Sequence, residues 1–128
     1  MRLGTLEVFV YGSLMRGQAN HAVLAGARFV EECVTDPSYT LLDLGAYPGL
    51  VEGGTTAVHG EVFEVVAAGL RSLDRFEGVP HLYVRGEVRL SGRETTVSGY
   101  LLAPAVAARG GAEVPGGDWR RRAAIPTG

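Results

Sequence analysis

A chain of 128 residues that is 46% hydrophobic and 20% charged has enough apolar material for one folded domain and is unlike a disordered protein. A net charge of −2, with no basic run longer than Arg120–Arg122, argues against nucleic-acid binding. No apolar run approaches the roughly 20 residues of a membrane span, and the single cysteine, Cys33, permits no intrachain disulfide. These features predict one soluble cytoplasmic domain over residues 1–128, with no nucleic-acid or membrane partner.

Short apolar stretches separated by glycine-rich turns predict strands along most of the chain. The last two of these stretches flank the segment Ser-Gly-Arg-Glu and are typical of a hairpin. In chain order the predicted strands are Glu7–Tyr11, Ala27–Val34, Tyr39–Asp43, Leu50–Val51, Val58–Val66, Tyr83–Leu90 and Glu94–Leu102.

Helical features are confined to two segments. Asn20 is suited to cap a short helix at His21–Ala25. The stronger pattern is Ala67–Glu77, which Gly78 ends. Strands therefore outnumber helices, which predicts an α+β domain: a small mixed β-barrel of about five to seven short strands with one or two packed helices.

The end of the chain is expected to lie outside the core of this barrel. We predict a core over about residues 6–102 and a short helical or irregular tail over 103–128, with Trp119 as its anchor. The composition does not decide between a monomer and a homodimer.

The helix at Ala67–Glu77 directs a carboxylate inward. When residues are placed at ~100° steps, Leu70 and Leu73 define the apolar stripe, Phe76 extends it, and Glu77 falls near its middle. Burial and the negative end of the helix both raise the pKa of such a carboxyl. Glu77 is therefore a candidate general base or acid, although a carboxylate that turns out to solvent at the helix end fits the spacing equally well.

A glycine-rich loop, Tyr11-Gly12-Ser13-Leu14, follows the first predicted strand. Its glycine spacing imitates a phosphate-binding loop, but Gln18 and Ala19 replace the required Lys and Ser/Thr. Three interpretations remain: a plain turn, a Ser13 nucleophile that lacks the usual sequence frame, and a cradle of backbone N–H groups for an anion or a carbonyl oxygen.

The other reactive side chains have no pattern of their own. The three histidines and Cys33 lack metal-ligand spacing, and Cys33 is expected to be a small buried hydrophobe. Tyr11, Tyr83 and Tyr100 each follow or precede a glycine-rich turn, and core packing is the ordinary role for such tyrosines.

Six segments, in this order along the chain, resemble the gamma-glutamyl cyclotransferase-like family, and the opening is closest to its gamma-glutamylamine cyclotransferase branch. They are VFVYGSLMRGQANHAVL, YPGLV, GEVFEV, LDRFEG, LYVR and GYLL. The resemblance spans about residues 8–102. It implies a compact mixed barrel with a cavity at one end and an enzyme that converts a gamma-glutamyl amide to 5-oxoproline and a free amine.

The resemblance also implies roles for individual residues. Glu77 takes the family's catalytic glutamate position, while Tyr11, Gly12, Ser13 and Leu14 form its substrate-binding loop and Tyr83 and Tyr100 line the pocket. The substrate is a small molecule, and neither a cofactor nor a metal is implied. Met15 and the short tail depart from the family pattern, so the leaving amine stays open. A non-catalytic module that binds a small carboxylate is the alternative from another class.

Overall fold

The structure of the protein is a computed structural model, which describes residues 4–122. It contains eight strands, two α-helices and two short 3₁₀ helices. Turns that contain glycine separate β3 from β4, β4 from β5 and β6 from β7, as the sequence predicts. In chain order the strands and α-helices are β1 Thr5–Val10, β2 Arg28–Val34, β3 Tyr39–Asp43, β4 Pro48–Glu52, β5 His59–Val66, α1 Ala67–Phe76, β6 Tyr83–Val88, β7 Val97–Leu102, α2 Pro104–Ala107 and β8 Ala112–Glu113, and the 3₁₀ helices are His21–Leu24 and Trp119–Arg121.

The eight strands form one mixed sheet in the order β2-β5-β1-β7-β4-β3-β8, with β6 paired to the other edge of β7. The sheet curls, and an isolated bridge between Thr35 and Leu90 connects the end of β2 to the segment after β6. The predicted α+β class with a small mixed, curled sheet is confirmed: the sheet is a half-barrel with one main helix, and its eight strands are one more than the five to seven predicted, because β8 joins the sheet. The predicted hairpin is also confirmed, because β6 and β7 pair antiparallel from Tyr83–Leu102 to Val88–Val97.

The position of β7 creates an opening in the sheet. On one edge β7 pairs in parallel first with β1, at Phe9–Gly99, and then with β4, at Leu50–Leu101. The strands β1 and β4 therefore separate along this edge of β7, immediately before the loop that follows β1. Tyr11 spans the separation: its hydroxyl donates to the Tyr100 carbonyl at 2.6 Å and accepts from the Leu50 N–H at 3.1 Å.

The segment after Leu102 is more ordered than the sequence predicts. Its strand β8 pairs with β3 at Leu42–Glu113, and the predicted anchor Trp119 is 3% exposed. A two-residue strand has no periodic signal, so only its partner reveals it. Residues 123–128 of the expected tail, like residues 1–3, lie outside the described residues. Within 4–122, no helix has the length and apolar composition needed to cross a bilayer.

Glu61 on β5 is a buried carboxylate that holds the loop after β1. It is 1% exposed, and it accepts from the Arg16 backbone N–H at 2.8 Å and from Arg16 Nε at 3.1 Å. The Arg120 guanidinium, from the last 3₁₀ helix, lies 3.9 Å away. Burial of a carboxylate is tolerated here because donors surround it.

We expect Glu61→Ala to lower the free energy of unfolding by about 3 kcal/mol, because it removes the acceptor of the Arg16 backbone N–H and the buried carboxylate that both guanidinium groups face. Urea denaturation followed by circular dichroism measures this loss. The matched control is Glu31→Ala, which removes a half-exposed carboxylate that pairs with Arg93 on the surface and is expected to cost less than about 1 kcal/mol. Equal losses for the two variants would contradict this interpretation of Glu61.

Candidate active site

Glu77 follows α1 directly, and its backbone keeps a right-handed helical conformation. Its backbone N–H donates to the Leu73 carbonyl at 2.8 Å, and its φ and ψ are −79° and −3°. Leu73, one turn earlier, is 1% exposed, so the side of the helix that carries Glu77 faces the interior. Of the two sequence interpretations, the one in which this carboxylate turns inward describes the structure.

A cavity of about 250 Å³ opens where β1 and β4 separate. It brings together all seven residues that the sequence singled out. Three groups form its wall: the loop after β1, the end of α1 with the following segment, and the β3–β4 turn. The lining residues are Phe9, Val10, Tyr11, Gly12, Ser13, Leu14, Asn20, Ala46, Tyr47, Pro48, Phe76, Glu77, Leu82, Tyr83 and Tyr100.

The Glu77 carboxyl is half-buried in this wall, and burial raises its pKa to about 7. Within the part of the chain that the structure describes, its oxygens accept no hydrogen bond and form no ion pair. A carboxyl of this kind exchanges a proton near neutral pH, and no protein group competes for its lone pairs. The arrangement suits proton transfer to and from a molecule in the cavity.

The loop after β1 presents unused backbone donors. Among residues 4–122, the N–H groups of Gly12, Ser13 and Leu14 reach no acceptor, whereas the next N–H, of Met15, donates to the Gly12 carbonyl at 3.1 Å. Consecutive free N–H groups on a rigid loop are suited to bind an anionic oxygen. The cradle interpretation of this loop therefore has a structural basis, and the plain-turn interpretation does not explain the free donors.

Asn20 and His21 fix the shape of this loop from outside. Asn20 donates from its backbone to the Ser13 carbonyl and from Nδ2 to Ser13 Oγ, both at 2.9 Å. His21 Nδ1 lies 2.9 Å from the Leu14 carbonyl. The sequence suggested that Asn20 caps a helix, but its side chain makes no capping bond because it bonds to Ser13 instead.

A glycine is needed at position 12 because another side chain packs closely against its Cα, and not because the backbone there has a positive φ. Its φ is not positive, but a Cβ at this position would lie 2.6 Å from Cγ of Pro48. The proline ring is rigid, so it has little freedom to move aside. This contact holds the loop against the start of β4, across the opening of the cavity.

The three tyrosines contribute ring surfaces, because their hydroxyl protons are already donated within the protein. Tyr83 donates to the Pro48 carbonyl, and Tyr100 donates to Asp74 Oδ1 at 2.7 Å. Tyr11 bridges β7 and β4 as described above. Burial is the main reason that the pKa of each of the three is raised, which keeps them neutral.

A nucleophilic role for Ser13 is contradicted by its surroundings. Its hydroxyl accepts from Asn20, and within residues 4–122 neither a histidine nor a carboxylate hydrogen-bonds to it. An activated serine needs such a base. Cys33 is half-buried rather than buried, and burial raises its pKa to about 12, so its thiol is not activated either.

Sequence reasoning missed several cavity residues that depend on tertiary contacts. Asn20 carried the signal of a helix cap, and Tyr47 and Leu82 lay in the segments YPGLV and LYVR of the resemblance without being singled out as cavity residues. Phe76 was predicted to extend the buried stripe of α1, but its side chain is 42% exposed at the cavity rim. His81, in contrast, lies exposed outside the cavity lining, as expected for a loop histidine.

Comparison with known proteins places this chain in a family. The family model for gamma-glutamyl cyclotransferase, AIG2-like proteins matches residues 8–121, and the chain belongs to this family. A putative gamma-glutamylcyclotransferase from Vibrio cholerae is 48% identical over 81 residues, which cover 63% of this chain and 70% of that protein. The human gamma-glutamylaminecyclotransferase is 39% identical over 107 residues, which cover 77% of this chain and 70% of that protein. An Escherichia coli relative, YtfP, is matched over 59% of its length.

Solved structures show the same fold. A uropathogenic Escherichia coli protein superposes with a TM-score of 0.78 at 29% identity, covering 91% of this chain and 94% of that one. The mouse AIG2-like protein superposes with a TM-score of 0.66 at 31% identity, covering 80% of this chain and 78% of that one. The predicted family and fold are thereby confirmed, and the chain is a gamma-glutamyl cyclotransferase by family.

Proposed function

We propose that this chain converts a gamma-glutamylamine or a related gamma-glutamyl amide to 5-oxoproline and a free amine, with Glu77 as the general base and then the general acid. The observation that carries the proposal is the unpaired, half-buried Glu77 carboxyl, with a pKa of about 7, in the same cavity as the free N–H groups of the loop. The relatives named above for this class of activity support it.

The reaction needs positioning more than new chemical groups. The α-amine of the substrate attacks its own γ-carbonyl carbon, a C–N bond forms to close the five-membered ring, and the original amide C–N bond breaks. The Glu77 carboxylate takes a proton from the α-ammonium group and later gives it to the departing nitrogen, so the carboxylate is restored. After the attack the ring nitrogen loses a second proton, and the released amine takes up one proton from water, so protons and charge balance. Holding the chain in a folded conformation makes the attack effectively unimolecular.

The loop N–H groups of Gly12, Ser13 and Leu14 bind the α-carboxylate of the substrate in this proposal. The substrate carries this full charge throughout the reaction, and no Arg or Lys is among the described residues that line the cavity. Backbone donors are then the groups available to replace its hydration. The rings of Tyr11, Tyr83 and Tyr100 enclose the glutamyl chain and exclude water.

The direct test is release of 5-oxoproline from gamma-glutamyl methylamide and related amides by the purified protein, measured by chromatography. Turnover supports the proposal. Thermal stabilisation by glutamate or 5-oxoproline without turnover of any amide would overturn it in favour of the binding module that the sequence left open.

We expect Asn20→Ala to raise KM about tenfold and to change kcat less than about threefold. Loss of the bond to Ser13 loosens a loop that binds the carboxylate equally in the ground state and in the transition state. Steady-state kinetics on gamma-glutamyl methylamide measure both constants. The control is Gln18→Ala. It removes a nearby side-chain amide that forms no hydrogen bond among the described residues. A fall in kcat at constant KM would instead assign the loop to the developing oxyanion.

A further inference from the structure

The cavity has two chemically different walls. The polar wall consists of the loop N–H groups, Ser13 and Asn20. The apolar wall, on the opposite elements, consists of Ala46, Tyr47, Phe76 and Leu82.

The apolar wall is partly uncovered. Phe76 is 42% exposed and Ala46 is exposed, while Tyr47 and Leu82 are half-buried. The Tyr47 ring is held edge-on against the buried Tyr83 ring, with centroids 6.2 Å apart, so this wall keeps its shape without a ligand. Exposed apolar surface at the rim of a preformed cavity gains free energy when an apolar group covers it.

Neither wall contributes a formally charged side chain. Glu77 is the one formally charged residue among the described residues that line the cavity. Arg85, on β6 two residues after the lining residue Tyr83, is paired with Asp74 at 3.0 Å. Among the described residues that line the cavity, a carboxylate on the leaving amine would have no basic side chain to pair with, and burial of an unpaired charge against the apolar wall is costly.

We infer that the leaving amine is an alkyl- or arylalkylamine whose substituent carries no charge, and that Phe76 selects it. The inference rests on the proposed function and deepens it: the polar wall takes the glutamyl end, and the departing amine carries its apolar substituent against Phe76, Leu82 and Tyr47. Phe76 is a specificity-determining residue, since it contacts the substituent and not the reacting atoms.

The test compares amides whose leaving amines have similar basicity, so that the bond-breaking step is matched. Initial rates of 5-oxoproline release give kcat/KM for gamma-glutamyl methylamide, butylamide, phenylpropylamide and the Nε-lysine amide. We expect the phenylpropylamide to exceed the methylamide by about tenfold or more, and the lysine amide to be no better than the methylamide. A lysine amide that exceeds the phenylpropylamide, while all are cyclised, would overturn this inference and leave the proposed function intact. No 5-oxoproline from any amide would overturn both.

A variant assigns the selectivity to Phe76. We expect Phe76→Ala to reduce the ratio of kcat/KM for the phenylpropylamide over the methylamide about tenfold. The ratio is used because any disturbance of the neighbouring Glu77 affects both substrates and cancels. The control is Leu6→Ala, which removes a similarly exposed apolar side chain on β1 outside the cavity lining and is expected to leave the ratio unchanged. An unchanged ratio in Phe76→Ala, with a circular dichroism spectrum like that of the wild type, would remove Phe76 from this role.

Discussion

Glu77→Gln is expected to lower kcat for 5-oxoproline release by about 10³-fold or more, with little change in KM. Glutamine has nearly the same size and occupies the same place at the end of α1, but it neither takes nor gives a proton. The loss has the magnitude of one general base and acid, because a single group performs both transfers in the proposed reaction.

The matched control for this variant is Glu52→Gln, which neutralises an exposed carboxylate at the end of β4, outside the cavity lining. We expect its kcat to stay within about twofold of the wild type. The wild-type kcat/KM is further expected to rise with pH around a midpoint near 7, the pKa of the free Glu77 carboxyl. Undiminished turnover by Glu77→Gln would overturn the mechanism.

The second large effect concerns stability and its dependence on pH. Folding raises the pKa of Glu77 from its ordinary value of 4.5 to about 7, so the native state holds this proton more tightly than the unfolded state. Between these two values the native state binds more protons, and the stability contribution falls as pH rises. It is fully present below about pH 4.5 and lost above about pH 7, and the shift corresponds to about 3 kcal/mol.

Urea denaturation of the wild type and of Glu77→Gln at about pH 4 and about pH 8.5 measures this effect. Titration of all other groups is common to the two proteins, so the difference between their free energies of unfolding isolates Glu77. We expect this difference to change by about 3 kcal/mol in favour of the glutamine variant on going to the higher pH. A difference that is the same at both pH values would show that the carboxyl is not destabilised by burial.

Local pattern predicted those parts of the fold and site that depend on neighbours in sequence. A short apolar stretch after a turn located strand β3 at its observed bounds, and the spacing from Leu73 placed Glu77 on the inner side of α1. Partners distant in sequence decided the rest. The strand β8 exists because β3 offers it an edge, and the hydroxyl of Tyr11 is occupied because β4 and β7 meet beside it.

Phe76 and Asn20 illustrate the same limit within the site. Periodicity grouped Phe76 with the buried residues of α1, because a helical wheel does not show where the opposing sheet has an opening. Asn20 precedes a short helix, as the sequence predicts, but its side chain donates to Ser13 Oγ instead of capping that helix. Only the folded loop brings Ser13 near. Local rules fail at such positions where tertiary contacts satisfy a polar group better than the local structure does.

The shared edge of β7 has a consequence for how this site can diversify. The part of the cavity beside Glu77 exists because two backbones, β1 and β4, separate there, whereas the outer rim is built from the side chains of Ala46, Phe76 and Leu82. Point substitutions reshape a rim of side chains far more easily than they move paired strands. If the proposed reaction holds, a scaffold of this kind can acquire new amine preferences one residue at a time while the ring-closing chemistry is inherited unchanged.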